Sequence, residues 1–360
     1  MSEKSCCSPQ SADSSLPQRP SCCSSAQNTA AMAVPKVNAT DVSTTLTLKD
    51  FLGACKVRLG FGRMDYTIEP GLYSIGKPDE ASPVLVSANY RLTFDTLRKN
   101  LQGLDCWLLI LDTKGINVWC AAGKGTFGTE ELIHRIEMTG LSNAISHRKL
   151  ILPQLGAPGV NSNEVAERSG FSVVFGPVRA RDIKQFIADG FRASAEMRRV
   201  RFTTWDRLVL TPVELIPALK TSLIIFGVVF LINLLAARQF GVLDVVIYLG
   251  VVLAGTVLTP LLLPIIPGKA FSWKGWILGL IWTACALGLF SWYTPDTWLL
   301  AAGYLLLLPA LSAFLAMNFT GASTYTSPSG VLKEMRIALP FIIGSAAVGA
   351  VLILIKTFLG

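Results

Sequence analysis

The sequence divides into parts of opposite character, and this division limits the possible folds more than any other feature. Residues 216–358 are dominated by Leu, Ile, Val, Ala, Gly and Trp, whereas residues 46–210 have the mixed composition of a water-soluble domain. Residues 1–45 are rich in Ser, Cys, Pro and Gln, which is typical of a disordered tail. We therefore expect a tail at 1–45, a soluble domain at 46–210 and a transmembrane domain at 211–360.

Five apolar runs in the second half are long enough to cross a bilayer, which takes about 20 residues of helix. Trp and Tyr residues lie near their ends, as aromatic residues do at membrane interfaces. Few ionisable residues lie within the runs, which favours a membrane anchor over a transporter. The pattern predicts an all-α transmembrane domain of five helices, near residues 216–236, 243–266, 275–293, 297–317 and 339–358.

Basic residues predict the orientation of this domain, because cytoplasmic loops carry an excess of Lys and Arg. A basic cluster precedes the first apolar run, and further basic residues lie in loops that would share its side of the membrane. We therefore expect a multi-pass protein of the cytoplasmic (inner) membrane, with the N-terminal domain and the segment 318–338 in the cytoplasm. The basic residues beside the membrane then account for much of the net charge of +8, and no nucleic acid partner is expected. The residues concerned are Arg192, Arg198, Arg199, Arg201, Arg207, Lys220, Lys269, Lys274, Lys333 and Arg336.

The soluble part alternates short apolar runs with amphipathic stretches. The runs, rich in Val, Leu and Ile, predict strands at 83–88, 106–111, 149–152 and 171–175. The amphipathic stretches predict helices at 92–102, 129–139, 162–169 and 180–189. Continuous apolar strands separated by helices indicate a Rossmann-like α/β domain with a parallel sheet covered on both faces. In such folds the ligand lies beyond the carboxyl ends of the strands.

One strand-end loop contains the glycine pattern GxGxxG, formed by Gly123, Gly125 and Gly128. A dinucleotide site would need this pattern directly after a strand and an acidic residue about 20 positions later. Here eleven residues separate Leu111 from the first glycine, and Arg148 stands at the acidic position. A Walker loop is also excluded, because glycine and not Ser or Thr follows the lysine of this loop.

The same loop predicts a short helix within residues 115–124 that presents Cys120 at the ligand end of the sheet. Lys124 and the helix amides are expected to lower the pKa of this thiol. The alternative is a buried cysteine that packs as a small apolar residue. The chain has eight cysteines and no CxxC pair, which argues against a zinc ribbon or an iron–sulfur cluster. Without an export signal, the thiols are expected to be reduced.

The segment NVWCAAGKGTFGT at 117–129 resembles the cap-helix motif of the mercury-methylation corrinoid proteins, which are related to the corrinoid iron–sulfur protein of the acetyl-CoA pathway. Further blocks resemble sequences of that wider group. They are PGLYSIG (70–76), SPVLVSANYRLTFD (82–95), QLGAPGV (154–160), FGPVRARDI (175–183) and MNFTGASTYTSPSGVLKEMR (317–336).

The resemblance implies a membrane-bound, corrinoid-dependent methyltransferase that transfers a methyl group from the cobalt of cobalamin or a related corrinoid to inorganic Hg(II), forming methylmercury in an anaerobic cell. Cys120 would be the catalytic residue, as the axial thiolate ligand of cobalt. The resemblance also implies a wider set of cofactor-binding residues. They are Asn117, Val118, Trp119, Ala121, Ala122, Gly123, Lys124, Thr126, Gly128, Thr129, Gly156, Ala157, Pro158, Gly159, Gly176 and Pro177.

Partners follow from the same resemblance. With no iron–sulfur cluster expected in this chain, electrons would come from a ferredoxin-like protein with iron–sulfur clusters. The methyl group would come from a methyltetrahydrofolate-dependent methyl-donating protein. Vicinal thiols suit soft metals, so the tail cysteines Cys6, Cys7, Cys22 and Cys23 are candidate Hg(II) ligands, unless they belong to a tail without a role.

Two alternatives remain open. The first is a corrinoid methyl carrier in one-carbon metabolism of the acetyl-CoA pathway type, with an acceptor other than mercury. The second is a membrane transporter or sensor with a cytosolic cofactor domain.

Overall fold

The computed structural model describes residues 39–235, 241–292, 294–323, 326 and 328–359. Most of the expected tail lies outside the described residues, and so do its cysteines Cys6, Cys7, Cys22 and Cys23.

The first part of the chain folds around a six-stranded mixed sheet. Its strands are β1 (Ala39–Asp41), β2 (Gly71–Ile75), β3 (Val84–Ala88), β4 (Cys106–Leu111), β5 (Lys149–Leu152) and β6 (Ser172–Phe175). Their order in the sheet is β1-β2-β4-β3-β5-β6. The four predicted strands are confirmed, and they pair in parallel. The expectation of a wholly parallel sheet was wrong, because β2 runs antiparallel to β4 and β1 extends that edge.

Helices cover the sheet on both faces. Successive residues of a strand point to opposite faces, so Leu109 of β4 packs with the helix residue Leu132, and Leu108 packs with Phe94 on the other side. The helices of this part are α1 (Leu48–Arg58), α2 (Arg91–Asn100), α3 (Val118–Lys124), α4 (Thr129–Thr139), α5 (Leu141–Ala144), α6 (Ser162–Ser169), α7 (Ile183–Ala188) and α8 (Ala195–Arg198). Short 3-10 helices lie at Gln154–Gly159 and Ala180–Asp182.

The path of the chain creates a crevice at one edge of the sheet. From β3 the chain passes through α2 to β4 on one side, and then returns through α3 and α4 to β5 on the other side. Where neighbouring connections leave in opposite directions, the loops at the carboxyl ends separate and leave space for a ligand.

The second part of the chain is helical. Its helices are α9 (Thr204–Leu235), α10 (Val242–Leu253), α11 (Thr259–Leu262), α12 (Phe271–Leu289), α13 (Trp298–Asn318) and α14 (Pro328–Leu359), with a π-helical turn at Ala254–Leu258 and a 3-10 turn at Phe319–Ala322. Among the described residues, four helical segments are long and apolar enough to cross a membrane. They are Thr204–Val228, Val242–Leu262, Trp298–Gly321 and Ser329–Phe358.

These segments correspond to four of the five predicted spans. The remaining one, 275–293, coincides with the 19-residue helix α12, which is not among the four, so a count of five stays a prediction. Helix α9 begins twelve residues before the expected first span and contains the expected domain boundary at residue 210. Phe319, from the segment 318–338, stacks on Phe202 just before α9.

Candidate functional site

A cavity of about 580 Å³ lies at the carboxyl ends of the parallel strands. Ser87, Pro153 and Gly176 line it from the ends of β3, β5 and β6. Asn117, Val118 and Trp119 line it from the start of α3. The cavity therefore occupies the crevice where sheets of this connectivity bind ligands.

The predicted cap segment forms helix α3, and a capping residue stabilises each end of this helix. The side chain of Asn117 accepts a hydrogen bond from the backbone N–H of Cys120 at 2.9 Å, which caps the first turn. Gly125 ends the helix in the left-handed conformation, with φ +80°. Ala121 and Ala122 are buried in the core, so their small side chains let α3 pack closely on the protein.

Cys120 follows directly after the three α3 residues that line the cavity. Its side chain is half-buried, and it is not itself among the lining residues described. Burial raises the pKa of the Cys120 thiol, while the positive charges of Lys124 and Arg63 oppose that effect. The expectation of a lowered pKa was therefore wrong, because loss of contact with water outweighs the nearby cations.

The predicted loop residues 154–159 form a support for α3. A side chain at Gly156 would collide with the ring of Phe127, and one at Gly159 would collide with the backbone of Phe127 and Ala122. A side chain at Gly128 would meet the carbonyl oxygen of Gly125 at 2.7 Å. Close packing within the protein therefore accounts for these three glycines. Ala157 is half-buried and Pro158 is exposed in the same loop.

The other predicted residues divide between the surface and the cavity. Gly123 and Lys124 are exposed at the end of α3. Thr126 is half-buried, and the hydroxyl of Thr129 accepts a hydrogen bond from the backbone N–H of Asn161. Gly176 and Pro177 line the cavity. Their roles toward a cofactor stay predictions.

Two groups of residues that line the cavity were not identified from the sequence. Arg58 and Arg63 come from the end of α1 and the loop that follows it. Trp205, Val209 and Val213 come from successive turns of α9. Their spacing of four residues was a signal of one helix face, but it lies ahead of the apolar run that defined the predicted span.

Comparison with known proteins gives matches in the α/β part. Residues 62–187 match the family model described as the delta subunit of CO dehydrogenase/acetyl-CoA synthase. The gamma subunit of the acetyl-CoA decarbonylase/synthase complex of Methanopyrus kandleri is 36% identical over 122 residues, which are 33% of this chain and 26% of that protein. The corresponding subunit of Methanocaldococcus jannaschii is 34% identical over 131 residues, or 36% of this chain and 26% of that protein. The corresponding subunit of Archaeoglobus fulgidus is 31% identical over 127 residues, which are 35% of this chain and 27% of that protein.

The chain spans about a quarter of the length of these relatives. The family match covers β2 to β6, α3 and the strand-end loops, and it ends before α9. This similarity supports the relation to the corrinoid proteins of the acetyl-CoA pathway that the motifs predict. None of the three relatives' names refers to mercury.

Proposed function

We propose that the α/β domain binds a corrinoid and that the protein is a methyl carrier in one-carbon metabolism of the acetyl-CoA pathway type. The observation that carries this proposal is the position of the cavity. It lies at the carboxyl ends of β3, β5 and β6 beside α3, and these elements belong to the segment that resembles subunits of the acetyl-CoA decarbonylase/synthase complex.

The lining of the cavity fits such a cofactor. A corrinoid is a broad macrocycle with apolar faces and amide groups on its rim. Val118, Trp119 and Leu155 offer apolar contact, whereas Thr93 and Asn117 offer hydrogen-bonding groups. The volume of about 580 Å³ lies within the range of small-molecule sites, about 300–1,000 Å³. The open side of the cavity leaves space for the rest of the macrocycle.

Cys120 is the residue of this chain that we propose as ligand to the metal. When bound, the corrinoid supplies a cobalt ion that accepts and releases the methyl group. The hydrogen bond from the Cys120 N–H to Asn117 fixes the backbone that carries the thiol. A coordinating thiol loses its proton, so binding to the metal would overcome the raised pKa that burial gives Cys120. The positive charges of Lys124 and Arg63 offset part of that effect of burial.

Inorganic Hg(II) is a second candidate acceptor, favoured by the presence of Cys120 in the sequence 117–129. Hg(II) is an electrophile, so the methyl group must reach it with bonding electrons or as a radical. An electron-rich thiolate ligand, such as that of Cys120, makes this transfer more accessible than imidazole does. In this version the protein forms methylmercury, and Hg(II) is its substrate.

The cellular setting belongs to the same proposal. The four candidate spans support a membrane location. The basic residues beside the predicted spans favour the cytoplasmic membrane with the α/β domain on its cytoplasmic side. A ferredoxin-like protein would supply electrons, and a methyltetrahydrofolate-dependent protein would supply the methyl group.

Alkylation of Cys120 tests the proposed site without relying on activity. In the purified full chain, hydroxocobalamin should protect Cys120 from iodoacetamide. Cys55 of α1 is also half-buried and is the matched control that should react equally with and without the cofactor. Cys106 is fully buried, which raises the pKa of its thiol to about 12, so it should remain unmodified in both samples.

Methyl-transfer assays of the wild-type chain distinguish the two acceptors, and the variant Cys120→Ala tests the role of the thiol. We expect it to retain part of the corrinoid binding and to lose methyl transfer to Hg(II), measured as methylmercury formed from a methylated corrinoid. If the wild-type chain forms no methylmercury but transfers the methyl group to another acceptor, only the carrier function is supported. Failure to bind any corrinoid would contradict both functions.

A further inference from the structure

The cavity has a wall that lies outside the segment matched by the family model. Trp205, Val209 and Val213 are four residues apart, so they lie on one face of α9, and all three line the cavity. Val200 and Phe202 continue this wall toward the α/β domain. The matched segment ends at residue 187, before the wall begins.

An ion pair fixes this wall to the loop after β6. The guanidinium of Arg179 contacts a carboxylate oxygen of Asp206 at 2.7 Å and also donates a hydrogen bond to the backbone carbonyl of Arg201. The same carboxylate oxygen accepts hydrogen bonds from the backbone N–H and the hydroxyl of Thr203. Because Arg179 and Asp206 both line the cavity, the pair joins its two sides at the start of α9.

The wall is also joined to the apolar helices. Phe202 stacks on Phe319 with ring centroids 6.3 Å apart, and Leu210 packs with Leu263 and Phe271 in the same cluster. Phe319 is fully buried. The start of α9 is therefore held from both directions, by the strand-end loop on one side and by the helical part on the other.

Trp205 is the most unusual residue of the wall. Its side chain is 69% exposed although it lines the cavity. An exposed indole contributes little to the stability of the folded chain, but it can cover the apolar face of a macrocycle and lose its own contact with water.

We infer that the first three turns of α9 are part of the corrinoid site, with Trp205, Val209 and Val213 in contact with the macrocycle. This inference rests on the proposed function. The cofactor is then held between the sheet and the first apolar helix, and the α/β domain alone is an incomplete site. The helical part therefore contributes to binding as well as to anchoring.

Corrinoid affinity of the full chain tests the inference. Hydroxocobalamin is titrated into detergent-solubilised protein, and bound cofactor is measured by equilibrium dialysis and by quenching of Trp fluorescence. Trp205→Ala should raise Kd about tenfold, because the loss of one large apolar contact has that order of effect. Trp298→Ala is the matched control, since this residue is 61% exposed at the start of α13, away from the cavity, and its Kd should stay at the wild-type value.

A second variant fills the cavity instead of opening it. Val209→Trp should raise Kd by more than tenfold while the thermal unfolding midpoint stays near that of the wild type. Wild-type affinity in both Trp205→Ala and Val209→Trp would overturn the inference and leave the proposed function intact. A wild-type chain that binds no corrinoid would instead overturn the proposed function.

Discussion

The α/β part and the helical part treat their apolar residues in opposite ways. In the α/β part, strands β3 and β4 are almost wholly buried, and Leu108 to Leu111 have no exposed surface. In the helical part, large apolar side chains point outward, as in Leu223 at 72% exposure and Phe341 at 77%. The apolar side chains of the sheet are thus buried within the protein, whereas many of those on the helices are exposed on its surface. Such an exposed apolar surface is stable in a lipid bilayer, which supports the proposed membrane location.

Small residues allow close contacts between neighbouring helices of the helical part. A side chain at Gly279 of α12 would meet Ser312 and the Cα of Pro309 on α13 within about 3 Å. Gly303 and Gly349 bring α13 and α14 together in the same way. Close backbone approach through small residues is typical of helix packing in membranes. The two parts therefore differ in how they are held together as well as in what surrounds them.

The same substitution in the two parts should give the largest contrast. Leu109→Ala removes a fully buried side chain of β4 and should lower the free energy of unfolding of the α/β part by about 3 kcal/mol. Leu223→Ala, on an exposed face of α9, should change the free energy of unfolding of the helical part by less than about 0.5 kcal/mol. Thermal unfolding in detergent, followed by circular dichroism, measures both. Equal losses would contradict the contrast.

A buried charge network should make the α/β part sensitive to acid. Burial alone would raise the pKa of Asp50, but hydrogen bonds from Thr47 and from the guanidinium groups of Arg91 and Arg98 hold it well below its ordinary value. A depressed carboxylate pKa stabilises the fold above the ordinary value of 3.8, and this stability is lost as pH falls further.

Asp50→Asn should therefore lower stability at pH 7 by about 3 kcal/mol, because it removes one of the two carboxylates, Asp50 and Asp95, that pair with the buried guanidinium of Arg98. It should also flatten the loss of stability between pH 4 and pH 2 relative to the wild type, measured as the unfolding midpoint. Glu130→Gln should change that pH profile much less, because the pair of Glu130 with Arg168 is exposed to solvent and contributes little to stability. A wild-type pH profile in Asp50→Asn would refute this role of the network.

Gly279 tests the small-residue packing of the helical part. Gly279→Ala places a methyl group against Ser312 and should destabilise the contact between α12 and α13 by about 1–3 kcal/mol. Gly227→Ala on α9 is the matched control, because a side chain there meets nothing within 4 Å. The unfolding midpoint in detergent measures both variants, and equal midpoints would argue against close packing at this position.

The smallest effect is expected at Gly123, an exposed residue near the end of α3. A side chain there meets no atom within 4 Å, so Gly123→Ala should stabilise the α/β part by about 0.5 kcal/mol through helix propensity. If this residue also lies against the corrinoid, the same variant should bind the cofactor more weakly. Unfolding and binding measurements on one preparation separate the two effects, and a loss of stability would contradict the first.

The strands that could be predicted from the sequence with their correct bounds are two whose residues are mostly buried. The strands at 106–111 and 149–152 have the predicted bounds, because continuous apolar residues between turns have few alternatives to a buried strand. The three-residue β1 was missed because it lies at the sheet edge, where a short segment carries little apolar pattern. β2 was missed because three of its five residues are only half-buried, which weakens the same signal.

The start of α9 shows a different limit. Hydropathy marks where an apolar run begins, near residue 216, but Thr203 and Asp206 cap the helix twelve residues earlier. The intervening turns carry cavity residues whose role depends on their approach to β5 and β6. Contacts between distant parts of the chain also decided the pKa of Cys120, where burial by the fold exceeded the effect of its neighbour Lys124.

The central claim is that a corrinoid occupies the cavity between α3, the strand-end loops and α9. An experimental structure of the full chain loaded with hydroxocobalamin tests it most directly. We predict macrocycle density in this cavity, with Trp119 and Trp205 in contact with it. Density at any other place on the protein, with this cavity empty, would contradict the account.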